Sequence, residues 1–223
     1  MRAVVLLGIG LLIAGVTAGR KTPESKAKPE AQGLTLRQEP DRVVLQWSGP
    51  VQPPMSDRFT AAFRQLEDDP RRIVISLNSP GGLIEHGQQV MHVIHMASRD
   101  RQIDTLVEAG KMCASMCVPI YLVGAERMAH PAARFMFHEA SFLSGPKALP
   151  PLGARTRDQQ LIERARKAAV TQLTDNLFDD DMGPRSVDAR WLNNMRAKIR
   201  GRDVWLTGRQ LVDQGSGVVD KLQ

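Results

Sequence analysis

The stretch Ala109-Gly110-Lys111-Met112-Cys113-Ala114-Ser115-Met116-Cys117 sets one serine between two cysteines, after a glycine and before the apolar run Val118 to Val123. Proline is tolerated only in the first turn of a helix, so Pro119 requires that helix to begin close to Ser115. The run Ile103 to Val107 just before it reads as a strand. A strand, a turn holding a serine, and a buried helix therefore follow one another.

The same alternation extends outward in both directions. Val43 to Trp47 is a β-branched run closed by Ser48-Gly49-Pro50, hence a strand. Ser56 has the position of an N-cap for a helix carrying Phe59, Ala62, Phe63 and Leu66, which Asp69-Pro70 stops. Ile73 to Leu77 is a strand that enters the turn Asn78-Ser79-Pro80-Gly81-Gly82. Leu83, Gly87, Val90, Met91 and Ile94 mark one face of the next helix. Arg127 to Ala129 and Arg134 to His138 read as short strands around His130-Pro131.

Farther on, Ser144 to Gly153 reads as a loop, and a charged helix follows from about Thr156 to Phe178, closed by Asp179, Asp180 and Asp181, read as solvated acids in preference to a calcium loop. Ser186 caps a helix with Val187, Trp191, Leu192 and Met195. Asp203 to Leu206 is a strand, Thr207 and Gln210 have capping-box spacing, and Gly215 ends the last helix. Strands alternating with helices at this spacing predict an α/β fold with a parallel sheet and crossover helices.

At 223 residues and 42% hydrophobic content, the chain suffices for one core. Arg2 followed by the uncharged run Ala3 to Ala18, ending in Val16-Thr17-Ala18, has the form of a cleaved signal peptide over residues 1–18. The run is shorter than the roughly 20 residues a spanning helix needs, which weighs against its rival, an uncleaved anchor over residues 3–18. Residues 19–33 carry almost nothing apolar and read as a disordered linker, leaving 34–223 as the folded domain. These readings place the protein in the periplasm or outside the cell. An oxidising compartment permits a Cys113–Cys117 disulfide, and reduced packing residues are the alternative. The net charge of +6 with only 4% aromatics shows no basic–aromatic interleaving, which argues against nucleic acid as a partner.

The candidate chemistry is acyl transfer. Ser115 is a nucleophile if a base takes its proton, and His138, at the end of Phe135-Met136-Phe137, is the candidate base, histidine being the residue type that suits this task near neutral pH. Asp203 is a candidate to fix its tautomer. The backbone amides of Gly82 and Met116 are candidates to bind an oxyanion. Each piece alone has a plainer reading: an N-cap serine, a packed histidine, a carboxylate paired with Arg202 or Arg209, and a simple turn. His92 and His95 lack a third metal ligand, so neither metal nor cofactor is implied, and Lys111 as a base for Ser115 is unnecessary beside His138.

Taken in order, four motifs resemble the ClpP protease family of the ClpP/crotonase superfamily. Ile75 to Gly82 resembles its glycine-rich turn, Gly110 to Cys117 its nucleophile turn, Phe135 to Glu139 its histidine strand, and Arg202 to Thr207 its aspartate segment. The serine between Cys113 and Cys117 is similar to that of exported ClpP-like proteins. The resemblance spans about Val43 to Leu222 and implies a repeated ββα superhelix. It also implies a Ser115–His138–Asp203 triad with Gly82 and Met116 as oxyanion donors, and a homo-oligomer. The resulting expectation is an exported serine peptidase acting on peptides or unfolded segments, with no ATPase partner. Its rivals are a non-catalytic ClpP-like binding or assembly module of the cell envelope, and crotonase-type chemistry on acyl-CoA thioesters.

Overall fold

A computed structural model describes residues 33–141, 157–183 and 185–223. The proposed signal peptide, nearly all of the linker, and the loop read over Ser144 to Gly153 lie outside the described residues. Six strands form the larger sheet in the order β1 (Gly33–Gln38), β2 (Arg42–Ser48), β3 (Arg72–Asn78), β4 (Ile103–Val107), β6 (Arg127–Ala129) and β9 (Lys221–Leu222). Only the β1–β2 pairing is antiparallel; the other neighbours run parallel. The central strands are buried on both faces, as parallel strands covered by helices must be.

Side-chain alternation divides that burial into two faces. Val43, Leu45, Ile73, Ile75, Leu77 and Ile103 join the main core, where α1 (Met55–Gln65) brings Phe59 and α2 (Ile84–Ala97) brings Val90 and Ile94. Val44, Val74, Leu106 and Met128, one residue out of phase, make a second small cluster. Three further strands, β5 (Met112–Ala114), β7 (Arg134–Phe137) and β8 (Val204–Thr207), form a separate sheet in that order. Twice in succession, a strand of the larger sheet is followed by one of the smaller: β4 by β5, then β6 by β7.

The remaining elements are α3 (Cys117–Leu122), α4 (Arg157–Asn176), a π-helical turn (Leu177–Met182), α5 (Ala189–Lys198) and α6 (Gly208–Asp213). All six residues of α3 are buried. Its Tyr121 donates a hydrogen bond to the Met128 carbonyl at 3.1 Å and meets Phe135 edge to face. The capping box at Thr207 and Gln210 forms as the spacing indicates, and Gly215, just past α6, takes φ +61.

Several local expectations need correction. The sequence pattern does not announce β1 and β9, and β5 is a strand where the pattern shows only a turn. Ser56 is not an N-cap: α1 starts at Met55 after Pro54, and the Ser56 amide points at His86 Nε2, 3.4 Å away. Ser186 does not cap α5; Asp188 does, accepting from the Trp191 amide at 2.7 Å, while Ser186 itself takes φ +64. The three aspartates do not all face water, because the chain continues through the π turn and buries Asp181.

One ion pair ties the C-terminus to the sheet. Arg127 is 6% exposed, and its Nε and Nη2 donate to the two carboxylate oxygens of Asp220 at 2.9 and 2.5 Å. Burial pushes the Asp220 carboxyl up, but the Arg127 hydrogen bonds and charge outweigh it, so the group sits below its ordinary value. A lowered carboxylate adds stability above its unfolded pKa of about 4 and loses it as pH falls through the lower folded value. Asp220→Asn should therefore cost about 1–3 kcal/mol in urea unfolding at neutral pH, allowing for the solvent that reaches Asp220. The gap between wild type and variant should close on acidification.

Candidate active site

The smaller sheet brings the candidate residues to one edge. β5 and β7 are parallel, so their C-terminal ends, leading to Ser115 and His138, lie side by side. β8 is antiparallel to β7 with Phe137 opposite Val204, so the next pair along the ladder is His138 and Asp203. On the other side of β5, Ser79 bridges Cys113: the Ser79 amide donates to Met112 O at 2.8 Å and the Ala114 amide to Ser79 O at 3.0 Å. The glycine turn is thus fastened to the strand that carries the serine.

Ser115 adopts φ +55, the left-handed region that non-glycine residues seldom occupy. Its amide donates to Met136 O on β7 at 2.9 Å, and its carbonyl accepts from the Val118 amide at 2.9 Å, which opens α3. Cys113, on β5, and Cys117, the first residue of α3, are joined by a disulfide with Cα atoms 5.2 Å apart. They are four residues apart but do not share one helix, so the helical i,i+4 spacing does not stand in the way of the bond.

His138 Nε2 stands 2.7 Å from Ser115 Oγ. Both residues are half-buried. Among the described residues, the amides of Gly82 and Met116 donate no hydrogen bond, although their neighbours are engaged: Val51 N bonds Gly81 O, and Leu83 N bonds Val51 O. Asp203 is exposed, and no hydrogen bond joins it to His138 among the described residues. The histidine is therefore in contact with the serine, while the aspartate is beside it in register only.

These groups open on a cavity of about 730 Å³. Ser115, His138, Gly82 and Met116 line it together with residues of α2, the end of α4 and the π turn. Two of its polar groups carry no signal in the sequence. His86 lies buried at the first turn of α2, and Asp181 is 8% exposed on the π turn, where its Oδ2 accepts from Gln88 Nε2 at 3.2 Å. No periodicity marks a π turn, so three consecutive aspartates gave no sign that one faces inward. Lys111 does not line the cavity. His92 and His95 are exposed on α2, and no group of three or more His, Cys, Asp or Glu gathers among the described residues. No described helix is long and apolar enough to cross a membrane.

A family model described as Clp protease matches residues 36–149, just over half of the chain. The match takes in the glycine turn, Ser115 and His138, and stops before Asp203.

Two substitutions probe the serine turn. The Cβ that alanine adds at Gly81, which has φ +89, would meet Ser115 Cβ at 2.5 Å and Ala114 O at 2.6 Å. Gly81→Ala should cost about 1–3 kcal/mol from strain and overpacking, and slow labelling of Ser115 by a fluorophosphonate more than tenfold. Replacing both cysteines by alanine should cost about 2 kcal/mol, the value for so short a loop, read as a lower Tm under non-reducing conditions.

Proposed function

The chain belongs to the Clp protease family, and from that premise we propose that it is an exported serine peptidase that cleaves peptides or unfolded segments without an ATPase partner. The observation that carries the reading is the 2.7 Å contact between His138 Nε2 and Ser115 Oγ at the wall of an open cavity. Export is supported by the apolar run Ala3 to Ala18 and by the Cys113–Cys117 disulfide, a bond of oxidising compartments. We read the paired strands of the two sheets as the repeated ββα superhelix of this family, and self-association as its normal state. Exposed Leu161 and Ile162 on α4 are consistent with a covered surface.

In this reading, neutral His138 accepts the Ser115 hydroxyl proton at Nε2 as Oγ bonds to the scissile carbonyl carbon. The carbonyl oxygen becomes an oxyanion and accepts hydrogen bonds from the Gly82 and Met116 amides, donors worth about 3–4 kcal/mol each to the transition state. Collapse breaks the C–N bond, and the leaving amine takes the proton from His138. Water then gives a proton to His138 and attacks the acyl-serine, whose breakdown returns that proton to Oγ. Asp203, next along the β7–β8 ladder, is the residue we assign to steady the His138 tautomer, by a side-chain rotation that brings its carboxylate to Nδ1.

One observation favours the rival reading of a non-catalytic module: no described carboxylate hydrogen-bonds His138. The experiment is activity-based labelling of the purified chain with a fluorophosphonate, together with turnover of unstructured peptides. Ser115→Ala should abolish labelling, and His138→Ala should lower kcat/KM a thousandfold or more. Asp203→Asn should lower it about a hundredfold or more. An effect below threefold would reduce the triad to a Ser115–His138 pair, and absence of labelling in the wild type would overturn the enzyme reading.

A further inference from the structure

The cavity has a charge pattern opposite to that of the chain. The protein carries a net charge of +6, yet the described residues lining the cavity include Glu85, Asp180 and Asp181 and no lysine or arginine. Glu85 and Asp180 are exposed, whereas Asp181 is more than nine-tenths buried and fixed by Gln88 from α2. Around it the lining is apolar, with Met116, Phe137, Phe178 and Met182.

We propose that Asp181, held by Gln88 in the cavity that contains Ser115 and His138, selects substrates with a lysine or arginine side chain next to the scissile bond. The inference rests on the serine peptidase reading above. A long cationic side chain fits both parts of the lining: its methylenes cover the apolar residues and its charged end reaches the carboxylate. Arginine gains further because its guanidinium pairs with a carboxylate through two parallel hydrogen bonds. An aliphatic side chain in the same place strips water from Asp181 and leaves only Gln88 to bond it. A site with a buried polar group rejects, in this way, the substrate that cannot pair with it.

The surroundings of Asp181 agree. Burial raises its carboxyl above the ordinary value, Gln88 partly offsets this, and the charge of Asp180 raises it further. The charge of Arg185 acts in the opposite direction, as the smallest of these effects.

The test uses peptidyl diphenyl phosphonates with arginine, leucine or glutamate as the residue bearing phosphorus. In each, Ser115 Oγ bonds to phosphorus and displaces phenoxide while His138 takes the hydroxyl proton. The arginine probe should inactivate the full chain at least tenfold faster than the leucine probe, and the glutamate probe slowest. Asp181→Asn should lower the arginine-to-leucine ratio at least tenfold, and Asp181→Glu should restore part of it. Should Asp181→Asn fail to fold by thermal unfolding, Gln88→Leu should lower the same ratio at least threefold. A leucine rate equal to or above the arginine rate, or a ratio unmoved by these substitutions, overturns the proposal while leaving the hydrolase reading intact. Failure of every probe and of a simple fluorophosphonate to label Ser115 overturns both.

Discussion

The left-handed backbone at Ser115 is the constraint on which the rest of the site depends. A φ of +55 costs a non-glycine residue about 1–2 kcal/mol, and it persists only where the surroundings leave no alternative. Here they do so from three sides. The Ser115 amide is drawn to Met136 O, its carbonyl to the Val118 amide, and the disulfide ties the strand before it to the helix after it. Gly81 closes the remaining side, with its missing Cβ allowing backbone within contact of the Ser115 side chain. The strain turns the hydroxyl off the end of β5, toward the neighbouring strand and the cavity.

That geometry follows from the direction of the strands in the smaller sheet. Because β5 and β7 are parallel, a serine after one and a histidine after the other meet without any long loop. Because β8 is antiparallel, the residue before it returns to the same end. Groups widely separated in the chain thus converge where strands finish and backbone amides have no sheet partner. The anchor under this edge is α3, whose burial and Tyr121–Met128 hydrogen bond hold the turn from below.

Much of this was visible in the sequence where a local rule had no competitor. Short β-branched runs bounded by turn residues, such as Ile73 to Leu77, read as buried strands, and Pro119 fixes where α3 has to begin. The serine, the histidine and the glycine turn stood out because their residue types are unusual where strands end. What was lost had tertiary causes. β5 and β9 are too short to show a period, and exist because neighbouring strands offer them hydrogen bonds. Ser56 and Ser186 have the residue type of caps, but α1 already begins at Met55, before Ser56, and Asp188 caps α5 while Ser186 takes a left-handed φ. Asp203 could be assigned a position from its motif but not a contact, since the register brings it beside His138 and a side-chain torsion decides the rest.

The two walls of the cavity are built by different means. The wall that bears Ser115, Gly82 and His138 is stitched by backbone hydrogen bonds, a disulfide and buried side chains, so changes there shift the Ser115–His138 contact itself. The opposite wall, from the end of α4 through the π turn, meets it through side chains: the Ala140 amide on Thr174 Oγ1 and Gln88 on Asp181. Side chains can be exchanged without moving strands. A π turn inserts one extra residue into a helix and so changes which side chain faces inward, a device found often at functional sites. In this chain the residue turned inward is Asp181, on the wall facing Ser115 and His138.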